Sequence, residues 1–419
     1  MIGPLSSRGE AVERVVVSGM GLVSCLGPSL PAITRALREG RSGLAFSEAR
    51  AELGFACPFT GTLPHYDAKA TLTRKERRTM GEPAMYAASA ALLAVEDAGL
   101  ERGSMGGPRT GVIIGNDSTC GDAWHTVNRT LADGTTRKLG SGAVVQCMNS
   151  SPSINLSVML RAMGACWSVS AACASGAHAI GQAWSLVATG QQDLVVCGGT
   201  QEIDWRGMAG FDGLGAFSKW EGGADEAARP FSRDRVGLVP SGGAAVLVLE
   251  SLEHARLRDA RIRAEILSYA FSSDGHHVTT PSGAGAERAM RMALEQAGLA
   301  TSEIGYVNAH APGTPVGDRF EAQAILDLFG ESGPPVSSTK AMTGHECWMA
   351  GASEVAYSLL MAEGGFLAPN QNYAGPEPGF EALDVITKAR EGSARYVLSN
   401  SFGFGGTNAC LVLDTRAQP

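Results

Sequence analysis

No two of the 9 cysteines stand within three residues of one another, so the spacing that builds zinc ribbons or redox-active dithiols is missing. The thiols read as separate, reduced and mostly buried small hydrophobes. Long apolar runs are absent too; nothing approaches the roughly 18 consecutive apolar residues of a membrane span. Positive charge is not in excess: Lys and Arg number 34 against 42 Asp and Glu, a net charge of −8, which argues against nucleic acid as a partner. The opening stretch MIGPLSSRGEAVERVVVSG lacks the basic-then-apolar layout of a signal peptide, and Glu10 and Glu13 suit a transit peptide poorly. A cytoplasmic setting is expected, with no metal site.

What is present is a 419-residue chain, 44% hydrophobic, long enough for two domain-sized units or one duplicated core. Short β-branched runs at 12–21, 109–115, 193–199 and 244–250 read as buried strands, and 82–99 reads as a helix rich in alanine. Such alternation predicts an α/β class. Gly/Pro/Ser clusters at 222–243 and 370–379 read as surface loops. The halves also echo each other. Glu96-Asp97-Ala98-Gly99-Leu100 and Glu295-Gln296-Ala297-Gly298-Leu299 each close a helix and lead to a strand. The stretch from Cys173 to DLVVCGG has a counterpart in 336–364, and two units repeated in one order predict duplication.

One cysteine has a special setting. In SVSAACASGAHAIG, Cys173 sits between an apolar run and a helix expected from Ser175 to about Ala188, among residues small enough for a sharp turn. A helix start favours the thiolate, so a lowered pKa is expected there; a buried core cysteine is the alternative. In YVNAHAPGTPVGD, His310 ends a strand; in STKAMTGHECW, Lys340 and His345 surround a strand-to-helix turn. NSFGFGGTNACLVL reads as a glycine-rich turn between strands, without the lysine-bearing helix of a P-loop.

Taken in order, SAACASGAH, VNAHAPGTPVGD, STKAMTGH, AGASE and NSFGFGGTN resemble the elongating β-ketoacyl-acyl carrier protein synthases of the thiolase superfamily, including type II polyketide ketosynthases. The resemblance runs from about residue 14 to 413. It implies a duplicated five-layered αβαβα thiolase-like fold, with residues 1–252 carrying the nucleophile and 253–419 the histidines. It implies that Cys173 takes the acyl group and that His310 and His345 stabilise an enolate. Lys340 would orient the site through Glu321 and Asp318, with Glu354 of AGASE in support. Backbone N–H groups of Cys173 and Phe404 would form an oxyanion hole, Phe404 would act as a gate, and Thr314 would hold the phosphopantetheine arm. Phe211, Cys347 and Ser118 would line the acyl pocket, Ser118 across a dimer interface. Lys75 and Arg78, helped by Arg137 and Lys138, would dock an acidic acyl carrier protein, with Glu76 diluting the patch. No bound cofactor is implied beyond the 4'-phosphopantetheine of the carrier substrate. The partners implied are that carrier and a second subunit, either another copy or a chain-length-factor-like sister.

The motifs also depart from the family pattern. Ala311-Pro312-Gly313-Thr314 replaces a Gly-Thr-Ser-Thr run, Arg235-Val236-Gly237-Leu238 an Arg-Asp-Gly-Phe, and Glu346-Cys347-Trp348-Met349 a run of small residues. These changes point to a specialised synthase of a polyketide or polyene pathway, with a housekeeping fatty-acid enzyme as the alternative. Cys347, smaller than the leucine usual there, predicts a locally wider acyl pocket. A degradative thiolase would carry a second catalytic cysteine in a C-terminal glycine motif, which Cys410 does not match. A non-catalytic chain-length partner would lack Cys173.

Overall fold

The structure is a computed structural model that describes residues 12–416. The targeting reading of the first 11 residues, Glu10 included, lies outside them. Ten strands form one sheet. They are β1 (Val15–Val23), β2 (Thr110–Gly115), β3 (Cys166–Val169), β4 (Leu194–Gln201), β5 (Gly243–Ser251), β6 (Ala264–Ser273), β7 (Ile304–Asn308), β8 (Val336–Ser337), β9 (Tyr396–Gly403) and β10 (Thr407–Asp414). Their order is β8-β7-β9-β10-β6-β1-β5-β4-β2-β3. The runs predicted as strands at 12–21, 109–115, 193–199 and 244–250 overlap β1, β2, β4 and β5, the first three starting up to three residues early.

The duplication is visible in this order. Reading outward from the junction of β1 and β6, each half has two antiparallel pairings followed by two parallel ones. The junction itself is thin, Val15–Val17 against Ala264–Ile266. Six helices complete the layers: α1 (Glu82–Asp97), α2 (Ser151–Leu160), α3 (Ser175–Ala188), α4 (Ala284–Ala297), α5 (Pro315–Phe329) and α6 (Ala350–Gly364). The first two cover the outer face of the N-terminal half, and α4 and α5 that of the other. Between the halves lie α3 and α6, which touch each other and strands of both. This is the five-layered αβαβα arrangement. Helix α6 is buried all round from Ala350 to Met361, as its lack of a polar stripe requires.

Small residues allow the layers to close up. A Cβ on Gly19 or Gly21 of β1 would lie 2.3 Å or 2.1 Å from the carbonyl oxygen of Ala94 or Ala90 in α1. The two Ala-Gly-Leu helix ends are superposable in chemistry: Gly99 and Gly298 adopt φ of 66° and 67°. In each, the glycine N–H bonds three residues back and the leucine N–H five back.

The segment 222–243 is not the surface loop its composition predicts. Ala227, Ala228, Phe231, Ser232, Leu238 and Val239 are buried, because the segment threads between the halves and backs the His345 turn. In 370–379, Asn370 is likewise buried; it accepts from the Ser338 N–H and donates to the Pro230 carbonyl. Among the described residues no helix is long and apolar enough to cross a membrane.

Candidate active site

The turn that carries Cys173 is strained and tightly held. Ala172, directly before it, has φ of +48°, a left-handed conformation costing an alanine about 1 kcal/mol. Ser175 Oγ accepts the Ala171 N–H at 2.8 Å and donates to the Ala172 carbonyl at 2.6 Å. The Asp117 carboxylate accepts the Ala172 N–H at 2.9 Å, and Thr407 Oγ1 donates to the Ala171 carbonyl at 3.0 Å. Helix α3 then begins at Ser175. Gly403 has no side chain to keep β9 off this turn: a Cβ there would lie 3.1 Å from the Cys173 nitrogen. The backbone N–H groups of Cys173 and Phe404 both favour the Cys173 thiolate.

The helix start does not lower the Cys173 pKa as expected. The side chain is only 5% exposed, and burial pushes the thiol up to about 12. Lys340 and the two N–H groups pull the other way, but desolvation of an anion is the larger effect.

Two histidines meet in the same place. Their ring centroids are 5.2 Å apart and the planes nearly perpendicular, at 83°. His310 follows β7, and its backbone N–H and that of Ala311 donate to the buried Glu321 carboxylate at 2.9 Å and 2.6 Å. Asn400 Nδ2 donates to the same carboxylate at 3.2 Å. His345 is pinned by backbone bonds to Val239 and Ser241 of the buried 222–243 segment. Burial, and after it the charge of Lys340, hold both imidazoles well below the usual histidine range, so they are neutral. His345 Nδ1 accepts the Cys347 N–H at 3.3 Å, which leaves the ring hydrogen on Nε2.

Lys340 is buried, and its partner is Glu354, not Glu321 or Asp318 as expected. Its charge is nevertheless felt by three buried carboxyls: burial raises Glu354 to about 8 and Glu346 and Glu321 to about 7. Glu346 is held by Tyr357 Oη at 2.9 Å and by Ser353 Oγ. Asp318 instead shapes the loop after His310, accepting N–H groups of Phe231 at 2.8 Å and Gly313 at 3.0 Å, with Arg235 at 3.9 Å.

A cavity of 620 Å³ reaches Cys173, His310 and His345. Phe211, Thr314 and Phe404 also line it, and it meets solvent past the exposed Val236, Val278 and Val316.

Residues 12–255 match the family model "Beta-ketoacyl synthase, N-terminal domain", and residues 263–374 match "Beta-ketoacyl synthase, C-terminal domain". The chain belongs to the β-ketoacyl synthase family. It is 38% identical over 406 residues to the 3-oxoacyl-[acyl-carrier-protein] synthase 1 of Haemophilus influenzae, covering 96% of this chain and 98% of that protein. Among solved structures it resembles a β-ketoacyl synthase from Burkholderia phymatum, with 37% identity, a TM-score of 0.92, and 97% and 100% of the two chains covered. It also resembles the ishigamide ketosynthase/chain length factor, with 32% identity, a TM-score of 0.90 and the same coverage.

Within this family site, the residues expected at the acyl pocket separate. Phe211 lines the cavity, whereas Cys347 and Ser118 do not. Cys347 is buried in the apolar cluster that also holds Cys173, outside the cavity. Ser118 lies beside Trp348 of its own chain, whose Nε1 donates to its Oγ at 3.4 Å.

The basic residues Lys75, Arg78, Arg137 and Lys138 are all exposed. Glu76 does not dilute them: it caps its own helical turn through Thr73 and pairs with Arg102 at 2.7 Å. Lys138 is paired with Asp133 at 3.2 Å.

Two supporting residues escaped the motif reading. Asn400 stood inside NSFGFGGTN, but a carboxylate partner 79 residues away has no local signal. Asp117 had one, because it follows β2, whose counterpart β7 is followed by His310; the duplication itself marked that strand end.

Proposed function

We propose that this chain is an elongating β-ketoacyl-acyl carrier protein synthase with Cys173 as its nucleophile. The observation that carries the reading is a single cavity in which Cys173, on a strained turn beside two inward N–H groups, faces two neutral histidines.

In the first half-reaction the Cys173 sulfur attacks the thioester of an acyl-carrier protein, and the carrier thiol leaves with the proton the cysteine gives up. The N–H groups of Cys173 and Phe404 stabilise the oxyanion, an effect worth about 3–4 kcal/mol per donor. In the second, malonyl-carrier protein loses CO2. His345 Nε2–H and the neutral His310 donate to its thioester oxygen while the enolate forms. The α-carbon then attacks the acyl carbonyl, the C–S bond to Cys173 breaks, and the released thiolate takes up a proton from solvent. Burial, with the charge of Lys340 held by Glu354, keeps both imidazoles neutral, each with one ring N–H to donate. Thr314, on the cavity wall, is suited to the phosphopantetheine arm. The leaving carboxylate supplies the carbanion, so the chemistry of this family needs no cofactor of its own.

In this reading residues 1–252 supply the nucleophile and 253–419 the histidines. Lys75, Arg78, Arg137 and Lys138 receive the acidic carrier. A second subunit, another copy or a chain-length-factor-like sister, pairs along β3. That strand is a sheet edge bonded only to β2, and Trp124, Val127, Val158, Met163 and Trp167 are exposed apolar residues on nearby elements. Native mass spectrometry reads this assembly directly. The setting is cytoplasmic, which suits 9 free cysteines. The pathway is a specialised one, supported by Pro312, Val236 and Trp348 at the cavity and its back wall.

The test is Cys173→Ala, assayed with acyl- and malonyl-carrier protein. The expected result is no acyl-enzyme by intact mass and no chain extension; retained extension would overturn the assignment.

A further inference from the structure

While an acyl group sits on Cys173, the malonyl carrier arm must occupy the cavity that leads to solvent. The acyl carbons therefore have to lie on the other side of the sulfur. There Cys173 belongs to an apolar cluster with Met208, Phe217, Cys347 and Trp348, against which Phe211 packs.

Aromatic rings fill that side. Trp348 is only 7% exposed, and its ring lies 6.0 Å from Phe211. Phe211 stacks on Phe217 at 6.2 Å and on Phe404 at 5.8 Å. The cavity stops at Phe211 and touches neither Cys347 nor Trp348.

These rings differ in how freely they can move. Phe404 precedes Gly405 and Gly406, with φ of +77° and +69°, and a Cβ on Gly405 would meet nothing within 4 Å. Room at this turn is confined to Gly405, whose N–H bonds the Val278 carbonyl at 2.6 Å, because a Cβ on Gly406 would lie 2.4 Å from the Asp274 Cβ. Trp348 has none at its backbone. Its carbonyl oxygen lies within 3.0 Å of where a Cβ on Gly176 would stand and within 2.7 Å of one on Gly199. Cys347 before it is already at φ +44°, and the buried α6 starts two residues later. Phe211 is covered by Phe404 on the cavity side, while Trp348 forms the back wall, its indole N–H bonded to Ser118.

We infer that Trp348 closes the acyl side of Cys173, so that this enzyme is primed by short acyl groups of acetyl to butyryl size and turns away long chains. The inference rests on the proposed role of Cys173 as acyl carrier. It reverses the wider pocket predicted from the small Cys347, because the neighbouring indole takes more space than the missing leucine methyls leave.

The experiment is single-turnover loading of the full-length protein with acetyl-, butyryl-, octanoyl- and dodecanoyl-carrier protein, with acyl-Cys173 read by intact mass. The wild type should load butyryl at least about tenfold faster than dodecanoyl, the usual discrimination of an overfilled apolar pocket. Trp348→Ala should bring dodecanoyl to within about threefold of butyryl. Trp348→Leu, which keeps most of the apolar volume, should fall between them and serves if the alanine variant does not fold. Equal loading of butyryl and dodecanoyl by the wild type would overturn the inference and leave the nucleophile intact. Unchanged discrimination in both variants would overturn the role of Trp348. Absence of any acyl group on Cys173 with every donor would overturn the underlying reading instead.

Discussion

Replacing Glu346 by Gln isolates the cost of a buried carboxyl placed one residue after His345. The side chain is buried, with Tyr357 Oη donating to it at 2.9 Å and Ser353 Oγ as second partner. A glutamine fits the same space: its oxygen accepts from Tyr357 and its amide donates to Ser353. Burial raises the carboxyl from the ordinary 4.5 to about 7, against opposing pulls from Ser353, Tyr357 and Lys340. Between these values the unfolded chain releases its proton while the folded chain keeps it, so stability falls as pH rises through that window and levels off above it. At about 1.4 kcal/mol per pH unit the full loss is about 3 kcal/mol, of which about 2.5 kcal/mol falls between pH 5 and pH 8. Glutamine carries no such loss. Equilibrium urea unfolding of both proteins, at one protein concentration and at pH 5 and 8, gives the difference between them. That difference should move by about 2.5 kcal/mol in favour of Glu346→Gln on going to pH 8. The contribution of Glu321 is common to both proteins and cancels, and that of Glu354, which the Glu346 charge raises, moves the difference in the same direction. A stability difference independent of pH would refute the reasoning, because it would mean that Glu346 titrates alike in the folded and unfolded chain.

Lys340→Met leaves Glu354 buried without its partner; with its carboxyl already raised to about 8 it stays protonated near neutral pH, so the fold should lose about 1–3 kcal/mol, and Lys340→Met combined with Glu354→Gln should recover most of that. Thermal unfolding of the three proteins checks it, and a double variant no better than the single one would contradict the pairing. Reversing Lys75 and Arg78 to glutamate should raise KM for the carrier protein several-fold at low salt with kcat little changed, and the effect should shrink as salt screens it. Steady-state kinetics at two ionic strengths decide this, and an unchanged KM at low salt would place docking on another face.

Much of this molecule is legible one element at a time. β-Branched runs mark β1, β2, β4 and β5, because a strand buried on both faces has no polar side to hide. The Ala-Gly-Leu pairs betray the duplication, since a helix closed by a left-handed glycine has a local signature. Cys173, His310 and His345 could be singled out because each stands at a strand-to-helix transition written in a few consecutive residues. What the sequence could not determine depends on which distant groups share one buried volume. Whether a helix start or burial controls Cys173 is a contest between a local dipole and a desolvation set by the whole enclosure, and burial wins. Lys340 has three buried carboxyls within its influence, and only packing selects Glu354 as the one it touches. The 222–243 segment looks like a loop because its backbone is irregular, yet it is buried because both halves close over it. A small residue at Cys347 suggests space, but space belongs to the cluster: Trp348, held by glycines in α3 and β4, decides how much of it is left.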